Sequence, residues 1–445
     1  MPERLVLCGA AGRSSVQSAL RLALSGASRN ITVRMENINP KLVGDIPDWL
    51  IDLIEIASYV YCADQAVRRG GTQQRAMGTD WRRDFRFVIP VRDPRHWSNP
   101  RISKPLCAAL EFLSDDYYSF EFEKVADPAP LQSYMFGGDA GTAFKADGVI
   151  LFSDGLDSLS GVVEELATPS KRLALVSHRS STPNNQKRLV TALEKRYPGR
   201  LIHLPVLIES HHDTPALEHT HLTRSFLYAS LAYLVACLLG TDETLFFNNG
   251  VRSINLPIAD KFVGTRATRT THPFSLRNLC DFFNAAAGKP IKIENPFIWK
   301  IKPDVIRSII ERGCSDLIKD TVSCTRPREM RKEHSHCGCC SECFDRRFGV
   351  LAAGAAEYDP VEKYKVELLA GDRDTCEDKT MAESYVSTAL ELLDISERAF
   401  FSRFVGLTSR VCHAFPSMPP DEISGIHCTC IIVMLRQSRT FSWPR

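Results

Sequence analysis

The alternation of hydrophobic and polar positions changes along the chain and divides it into three stretches. In the first, residues 1–140, alternating positions predict three strands: Ile31–Met35, Asp84–Val91 and Tyr118–Lys124. Apolar residues at helical spacing predict two helices: Trp49–Arg68 and Pro105–Leu113. We therefore expect residues 1–140 to form an accessory α/β domain.

From residue 147 onward, apolar runs alternate with helical segments. The runs predict four strands: Val149–Phe152, Arg172–Ser177, Leu201–Leu207 and Glu243–Phe247. The longer helices are predicted over Asn185–Tyr197 and Thr223–Leu239. This order implies right-handed crossovers and a doubly wound parallel sheet within residues 147–350, with ligands at the carboxyl ends of the strands. Residues 351–445 are expected to form a helical C-terminal extension.

Composition narrows the class of protein. Of the 445 residues, 44% are hydrophobic and 24% are charged, which is typical of a globular protein. The formal net charge of +2 gives no global basic field for nucleic acid. The longest apolar runs, such as Ala232–Leu239, are shorter than the roughly 20 residues of a membrane span, and the first residues lack a signal-peptide layout. We therefore expect a cytoplasmic protein without a membrane segment.

The first predicted parallel strand ends in the turn Ser153-Asp-Gly-Leu-Asp-Ser158. A strand-to-helix turn offers free backbone N–H groups and the positive end of a helix dipole to an anion. Gly155 allows close approach, the two serine hydroxyls can donate to phosphate oxygens, and Asp157 can hold the Mg²⁺ that accompanies a nucleotide. The turn therefore predicts polyphosphate binding, and a capped turn without a ligand is the alternative.

Asp154 fits this interpretation least well. A carboxylate beside a polyphosphate costs Coulomb energy unless a cation lies between them. Asp154 could bind a second Mg²⁺, point into solvent or weaken ATP binding. We expect it to be a tolerated variant.

Four of the 15 cysteines lie close together in the segment Cys337-Gly-Cys-Cys-Ser-Glu-Cys343. Without a secretory signal, such a cluster is more often a metal site than a disulfide framework. One tight knuckle supplies three thiolates and an upstream cysteine supplies a fourth, which predicts a structural Zn²⁺ over residues 324–343. The predicted ligands are Cys324, Cys337, Cys340 and Cys343. Rival ligands are Cys339, His334 and His336, and a redox cluster is the alternative.

The turn and the cysteines, in this order, resemble the 7-cyano-7-deazaguanine synthase (QueC-like) family of PP-loop ATP pyrophosphatases. The turn is similar to the family's S-G-G-x-D-S loop, with Asp154 where the family usually has Gly. Ser323-Cys324, Cys337–Cys343 and Arg346 are similar to its S-C … C-G-x-C-x-x-C-x-x-R segment. The resemblance covers about residues 147–350. It implies a HUP-like (adenine nucleotide alpha hydrolase) fold that uses ATP and Mg²⁺ to adenylate the carboxylate of a 7-deazaguanine, before an amide and a nitrile form.

The resemblance also implies roles for individual residues. Four catalytic residues are expected: Asp157, Ser158, Lys302 and Arg224. Nucleotide contacts are expected from eight residues: Ser153, Asp154, Gly155, Leu156, Asp157, Ser158, Ser177 and Asn249. Arg266 and Arg269 are candidates for clamping a carboxylate or phosphate, with an exposed basic loop as the alternative. Four histidines have the appearance of a metal cluster but fit ordinary loop residues better: His211, His212, His219 and His221.

Residues 1–140 and 351–445 extend beyond the compact enzymes of the family. They resemble the extensions of larger QueC-like proteins in anti-phage defence cassettes of the Qat type. This implies conjugation of a deazaguanine to an amine, and a surface for a protein partner or protein substrate. Three alternatives remain open: a 7-cyano-7-deazaguanine biosynthesis enzyme, another PP-loop enzyme such as a tRNA thiolase, and a catalytically impaired scaffold subunit. A homo-oligomer is compatible with each.

Overall fold

The computed structural model contains two β-sheets joined by a continuous hydrophobic core. The structure describes the following residues: 3–9, 19–35, 46–69, 81–126, 128, 144–178, 183–210, 218, 220, 222–256, 269–326, 333–368, 370–393, 395–419 and 422–423.

The strands of the two sheets are almost all parallel. The described residues contain ten of them: β1 (Glu3–Cys8), β2 (Leu20–Leu22), β3 (Ile31–Met35), β4 (Asp84–Val91), β5 (Tyr117–Lys124), β6 (Gly148–Leu151), β7 (Leu173–His178), β8 (Leu201–Ser210), β9 (Glu243–Leu245) and β10 (Lys292–Glu294). The four-stranded sheet has the order β2-β1-β4-β5, and the six-stranded sheet has the order β10-β9-β6-β7-β8-β3. Only β3 runs antiparallel to its neighbour, β8, in the pairing that the described residues show.

Helices connect these strands and cover the sheets. The helices of the described chain are α1 (Asp48–Ala66), α2 (Pro94–Trp97), α3 (Pro100–Ser114), α4 (Leu156–Leu166), α5 (Pro183–Arg196), α6 (Arg224–Leu239), α7 (Gly250–Ser253), α8 (Pro273–Ala287), α9 (Lys302–Glu311), α10 (Ser341–Ala352), α11 (Cys376–Leu393), α12 (Glu397–Arg403) and α13 (Val405–Ala414). Glycines in the left-handed conformation, Gly240 and Gly288, end α6 and α8. This is the usual way to end a helix, because glycine has no Cβ to clash there.

The six-stranded sheet has the strand order of a doubly wound fold, which confirms the predicted fold class. Its first parallel strand, β6, lies between β7 on one side and β9 on the other. The chain therefore builds outward from β6 in both directions. A topological switch point of this kind opens a crevice beyond the carboxyl ends of the central strands, where ligands bind.

The predicted strands and helices agree with the structure to within a few residues. The pattern did not predict β1, β2 and β10. The strands β2 and β10 have only three residues each, too few for a period to be visible. The strand β1 is an apolar run whose length does not distinguish a strand from a buried helical segment.

The helix α6 lies at the centre of the molecule and is buried on nearly all sides. It contacts β6 and β7 on one side and α1 on the other. Its buried side chains belong to one core cluster that also includes residues of β1 and β4. The continuous apolar sequence of this helix is therefore explained by layers on both sides.

The first and last parts of the chain pack closely on the central region. The strand β3 adds to the edge of the six-stranded sheet, with Val33 opposite Ile208. At the other end, Tyr385, Phe400 and Val411 share a hydrophobic cluster with the knuckle cysteines. The domain boundaries at residues 140 and 351 stay predictions. Among the described helices, none combines the length and apolarity that crossing a membrane requires.

Candidate active site and metal centre

Hydroxyl hydrogen bonds close the turn between β6 and α4. The Ser158 Oγ lies 3.0 Å from the Ser153 Oγ and donates to the carbonyl oxygens of Ser153 and Gly155. The backbone N–H of Gly155 donates to the Ser153 Oγ at 3.3 Å. Ser158 is buried, whereas Ser153 is exposed at the cavity wall. Ser158 therefore shapes the turn, and the Ser153 hydroxyl is the one that faces a ligand.

The first turn of α4 presents backbone donors beside these hydroxyls. Gly155 precedes the helix in an extended conformation, and no side chain caps the helix. The side chain of Leu156 is 1% exposed and belongs to the core, so its contribution to a ligand is its backbone N–H. Uncapped N–H groups and the helix dipole together favour an anion at this point.

A cavity of about 450 Å³ opens over the turn at the carboxyl ends of β6, β7 and β9. This volume is typical of a small-molecule site. Among the described residues, the charged groups of its wall are three carboxylates and two cations: Asp154, Asp157, Glu342, Arg224 and Lys302. Because the carboxylates of this described wall outnumber its cations, an additional cation would favour the binding of a polyanion here.

Lys302 and Asp157 form an ion pair at the floor of the cavity. Lys302 begins α9 and is 4% exposed; its Nζ contacts the Asp157 Oδ2 and lies 3.0 Å from the Asp345 Oδ2. Burial lowers the pKa of Lys302, but the two carboxylates outweigh burial and the pKa lies above its ordinary value. The ammonium is therefore charged, and two of the predicted catalytic residues are in contact.

Asn249 holds the other oxygen of Asp157. Its backbone N–H donates to the Asp157 Oδ1 at 3.2 Å, and its side-chain amide donates at 3.4 Å. Asn249 is 0% exposed and caps α7 by accepting from the Arg252 N–H. The sequence predicted a nucleotide contact for Asn249. The structure places it behind Asp157, where it orients the carboxylate, and its neighbour Asn248 lines the cavity.

Asp154 lines the cavity and is half-buried, so its side chain does not simply point away into solvent. Burial raises the pKa of Asp154 above its ordinary value. Within the described chain, no cationic side chain forms an ion pair with it. Its carbonyl oxygen accepts from the Val322 N–H at 2.7 Å, which anchors the turn to the segment leading into Cys324.

Arg224 reaches the cavity from the first residue of α6 and is exposed there. Asp64 fixes this end of the helix, because its Oδ2 accepts from the Thr223 N–H at 3.1 Å and from the Thr223 hydroxyl at 2.9 Å. One turn further, Tyr228 also lines the cavity, and within the part of the chain that the structure describes its buried hydroxyl has no hydrogen-bond partner. Its place on the wall makes Tyr228 a candidate ligand contact. The sequence missed Tyr228, because an aromatic residue in an apolar helix predicts core packing.

The structure does not bring Ser177 to the cavity. The Ser177 Oγ lies 2.6 Å from the His203 Nε2 of the neighbouring strand, and Ser177 is 2% exposed. Burial lowers the pKa of His203 to about 4, so this histidine is neutral. Side chains alternate along a strand, and the flanking residues Val176 and His178 line the cavity instead.

Arg269, one of the two candidates for clamping a ligand, is bound by protein groups in the structure. Its guanidinium lies 3.0 Å from the Asp115 Oδ1 and donates to the Phe112 carbonyl oxygen at 2.5 Å. It therefore ties the segment before α8 to the end of α3. Arg266 and the four candidate histidines lie outside the described residues.

Four cysteine sulfurs converge on one point near the start of α10. The cluster consists of Cys324, Cys337, Cys340 and Cys343, whose Sγ atoms all lie within 4.8 Å of one another. Three of the separations are 3.4, 3.9 and 4.0 Å. A tetrahedral zinc with Zn–S bonds of about 2.3 Å keeps its sulfurs about 3.8 Å apart. The cluster thus fits Zn²⁺.

Backbone donors complete this centre. The N–H groups of Arg326 and Cys337 each donate to the Cys324 Sγ at 3.4 Å, and the N–H of Cys340 donates to the Cys337 Sγ at 3.3 Å. Such backbone donors favour thiolates, the form that binds zinc.

The rival ligands lie outside the group of four. Burial raises the pKa of Cys339 to about 11, as for an inert thiol. His334 contacts the Glu362 carbonyl oxygen at 3.0 Å. The His336 Nε2 accepts from the Ser323 N–H at 3.3 Å. Each has a partner other than the four sulfurs.

The metal centre is connected to the phosphate turn through the segment between Thr321 and Ser323. Arg346 of α10 is 1% exposed and donates to the Thr321 hydroxyl at 2.6 Å. The next residue, Val322, holds the Asp154 carbonyl oxygen, as described above. The knuckle and the turn are therefore parts of one hydrogen-bonded unit.

Residues 272–354 match the family model described as queuosine biosynthesis protein QueC. The chain is QueC-like over this segment. The matched residues include Lys302, the four cysteines and Arg346. The match agrees with the QueC-like resemblance of the cysteine segment, and the doubly wound sheet agrees with the fold that this resemblance implies. A comparison with curated proteins gives no match.

The QueC-like segment, residues 272–354, begins after the turn between β6 and α4. The family match therefore does not cover this turn, and the case for anion binding there rests on the geometry of the turn itself. The segment contributes Lys302 to the cavity floor and Glu342 to its wall. It also contributes Asp345, which the sequence did not single out. A lone acidic residue beside a cysteine motif carries no pattern of its own, and only its contact with Lys302 reveals it.

Proposed function

We propose that the chain is an ATP-dependent enzyme that adenylates a carboxylate of a 7-deazaguanine-type substrate and then joins it to an amine. The observation that carries this proposal is the cavity at the switch point of the sheet. It combines an uncapped helix N-terminus, the Ser153 hydroxyl and the buried ammonium of Lys302. The QueC match supports the substrate class.

In the first step, a substrate carboxylate oxygen attacks the α-phosphorus of ATP. The bond between that phosphorus and the bridging oxygen breaks, and pyrophosphate leaves. The backbone N–H groups of α4, Lys302 and Arg224 lie where they can stabilise the charge that develops on the phosphates. In the second step, an amine attacks the acyl carbon, AMP leaves and the amine releases a proton.

The excess of carboxylates in the cavity wall supports a requirement for Mg²⁺. Asp157 is the residue best placed to hold it, because this carboxylate lies at the helix N-terminus beside the phosphate donors. The ion would supply charge neutralisation between the phosphates and the acidic wall. Zinc at the four cysteines would be structural, since every ligand position is taken by a thiolate.

The acceptor amine and the biological setting belong to the same proposal. The extensions at residues 1–140 and 351–445 support a protein partner or protein substrate. Their resemblance to the extensions of defence proteins supports a role against phage. These extensions pack on the cavity-bearing region through β3 and through the cluster around Tyr385. A partner that binds them is therefore physically connected to the site.

The proposal is tested by mass spectrometry of the zinc-loaded chain with ATP, Mg²⁺ and 7-carboxy-7-deazaguanine, with and without ammonia. We expect AMP together with an adenylate, amide or nitrile. A reaction without the deazaguanine serves as the control for unspecific ATP hydrolysis. If a folded, zinc-loaded protein forms no AMP, the proposal of an enzyme is overturned. The result would favour a scaffold subunit in which Asp154 has disabled the turn.

A further inference from the structure

Asp345 is a buried carboxylate to which the proposed chemistry assigns no role. It lies on α10 and is 2% exposed. Its Oδ2 lies 3.0 Å from the Lys302 Nζ, and the described chain offers it no other ion-pair partner. Desolvating a carboxylate is costly, and a single ion pair rarely repays that cost. The position of Asp345 therefore points to a role beyond stability.

The helix that carries Asp345 also makes room for Lys302. A Cβ atom at Gly349 would lie 2.2 Å from the Lys302 Cγ, so only glycine admits the lysine stem at this place. Asp345 and Gly349 are one turn apart on the same face of α10. One helix face thus guides the stem of Lys302 and supplies a counter-charge to its ammonium.

Lys302 divides a single positive charge between two carboxylates. Its Nζ contacts the Oδ2 of Asp157, while the Oδ1 of Asp157 is already held by Asn249. If Asp157 were the only carboxylate near Lys302, both of its oxygens would be committed to protein donors. A metal ion would then have to displace the ammonium with no other acceptor available to it.

We propose that Asp345 is a positioning residue that accepts Lys302 when a nucleotide binds, and so leaves an oxygen of Asp157 free for Mg²⁺. This inference rests on the proposed function, since it needs Mg²⁺ and ATP in the cavity. It involves a shift of one N–H donor of the lysine ammonium from Asp157 to Asp345, which leaves the other two donors for the phosphates, and no change in covalent bonds. It assigns to the zinc-knuckle helix a direct part in setting the charge of the nucleotide site.

The test is isothermal titration calorimetry of the zinc-loaded full chain with ATP, in the presence of Mg²⁺ and in the presence of EDTA at a concentration that leaves zinc bound. For Asp345→Asn we expect the Kd for MgATP to rise about 10- to 100-fold, the usual effect of losing an outer-shell partner of a metal site. The Kd for metal-free ATP stays the same or falls, because one negative charge has left the site. Asp345→Glu keeps the charge and recovers most of the lost affinity.

Asp52→Asn is the matched control. Asp52 is also a buried carboxylate paired with a cation, 2.8 Å from Arg92, and it lies outside the cavity wall. This variant is expected to lower the melting temperature and to leave both Kd values unchanged. Zinc content is measured for each protein, so that damage to the knuckle is recognised.

The decisive result is a rise in the Kd for MgATP without a rise in the Kd for metal-free ATP. A parallel loss of both affinities in Asp345→Asn, or no change in either, overturns the positioning role and leaves the proposed function intact. If the unaltered protein binds no MgATP, the proposed function itself fails. If Asp345→Asn does not fold, Gly349→Ala moves the Lys302 stem instead, and an unchanged MgATP affinity in that variant overturns the inference.

Discussion

The cysteine knuckle and the phosphate turn use their polar groups in opposite ways. In the knuckle, four sulfurs converge on one point and have mainly one another and backbone N–H groups as neighbours. In the turn, the side chains of Asp157 and Ser158 are held by other protein groups. The knuckle therefore has the geometry of a closed site that fits Zn²⁺, whereas the turn is a preorganised surface whose charge is set by residues far away in the sequence.

This difference predicts that changes in the knuckle act mainly on stability, and that changes around the turn act mainly on binding. The largest effect is expected for Cys340→Ser. It removes one of four zinc ligands, and we expect zinc loss and a fall of more than about 4 kcal/mol in the free energy of unfolding. Metal analysis and urea unfolding measure both. Cys339→Ser is the control that keeps its zinc, and full zinc content in Cys340→Ser would refute the ligand set.

Lys302→Gln is expected to lower both the stability of the fold and the rate of AMP formation. It leaves the buried Asp345 and the partly buried Asp157 without their cation, which is expected to cost about 3–5 kcal/mol of stability. The loss of a donor to the phosphates is expected to lower AMP formation about 10²- to 10³-fold. The control is Lys300→Gln, whose partly exposed pair with Glu164 is worth at most about 1 kcal/mol. If Lys302→Gln and Lys300→Gln form AMP at the same rate, Lys302 has no part in the reaction.

Ser158→Ala tests whether the hydroxyl network shapes the turn. The variant loses the donor to the Ser153 and Gly155 carbonyl oxygens, at a cost of about 1 kcal/mol in stability. We expect the affinity for MgATP to fall about tenfold, since a loss of 1.4 kcal/mol in binding corresponds to that factor. Ser160→Ala removes a similar buried bond, to the Val305 carbonyl oxygen, outside the cavity. If Ser158→Ala and Ser160→Ala lose the same affinity for MgATP, the loss comes from a general destabilisation of α4 and not from the turn.

Asp154→Asn has a smaller effect that depends on pH. Burial raises the pKa of Asp154, so the folded protein binds more protons than the unfolded chain between the ordinary and the raised value. Stability therefore falls as the pH rises through this window, and Asp154→Asn abolishes that part of the slope. At neutral pH, removal of the charge is expected to strengthen ATP binding. Unfolding curves and titrations at several pH values measure both, and identical pH profiles would contradict the assignment.

Ser177→Ala gives the smallest expected effect and separates two predictions. The resemblance predicts weaker nucleotide binding. The structure predicts an unchanged affinity and a loss of about 1 kcal/mol in stability, because the hydroxyl contacts His203 outside the cavity. Calorimetry with MgATP distinguishes these outcomes, and a clear loss of affinity would favour the resemblance.

The sequence by itself determined the features that depend on local spacing. Apolar runs and helical spacing predicted β6 to β9 together with α5 and α6, because the burial of one face or of a whole strand leaves a pattern along the chain. The cysteine spacing predicted the four sulfurs that the structure brings together, since three of the four come from one short segment. The small residues after β6 predicted the turn between β6 and α4 for the same reason.

Only the tertiary structure decided the contacts between distant segments. It brought Lys302 and Asn249 to Asp157, and placed Asp345 behind Lys302. It also turned Ser177 away from the cavity and joined β3 to the six-stranded sheet. Long-range pairing depends on how layers pack and on which face of a strand meets the ligand, and a linear pattern does not contain that information. The charge of the candidate site is therefore a property of the fold.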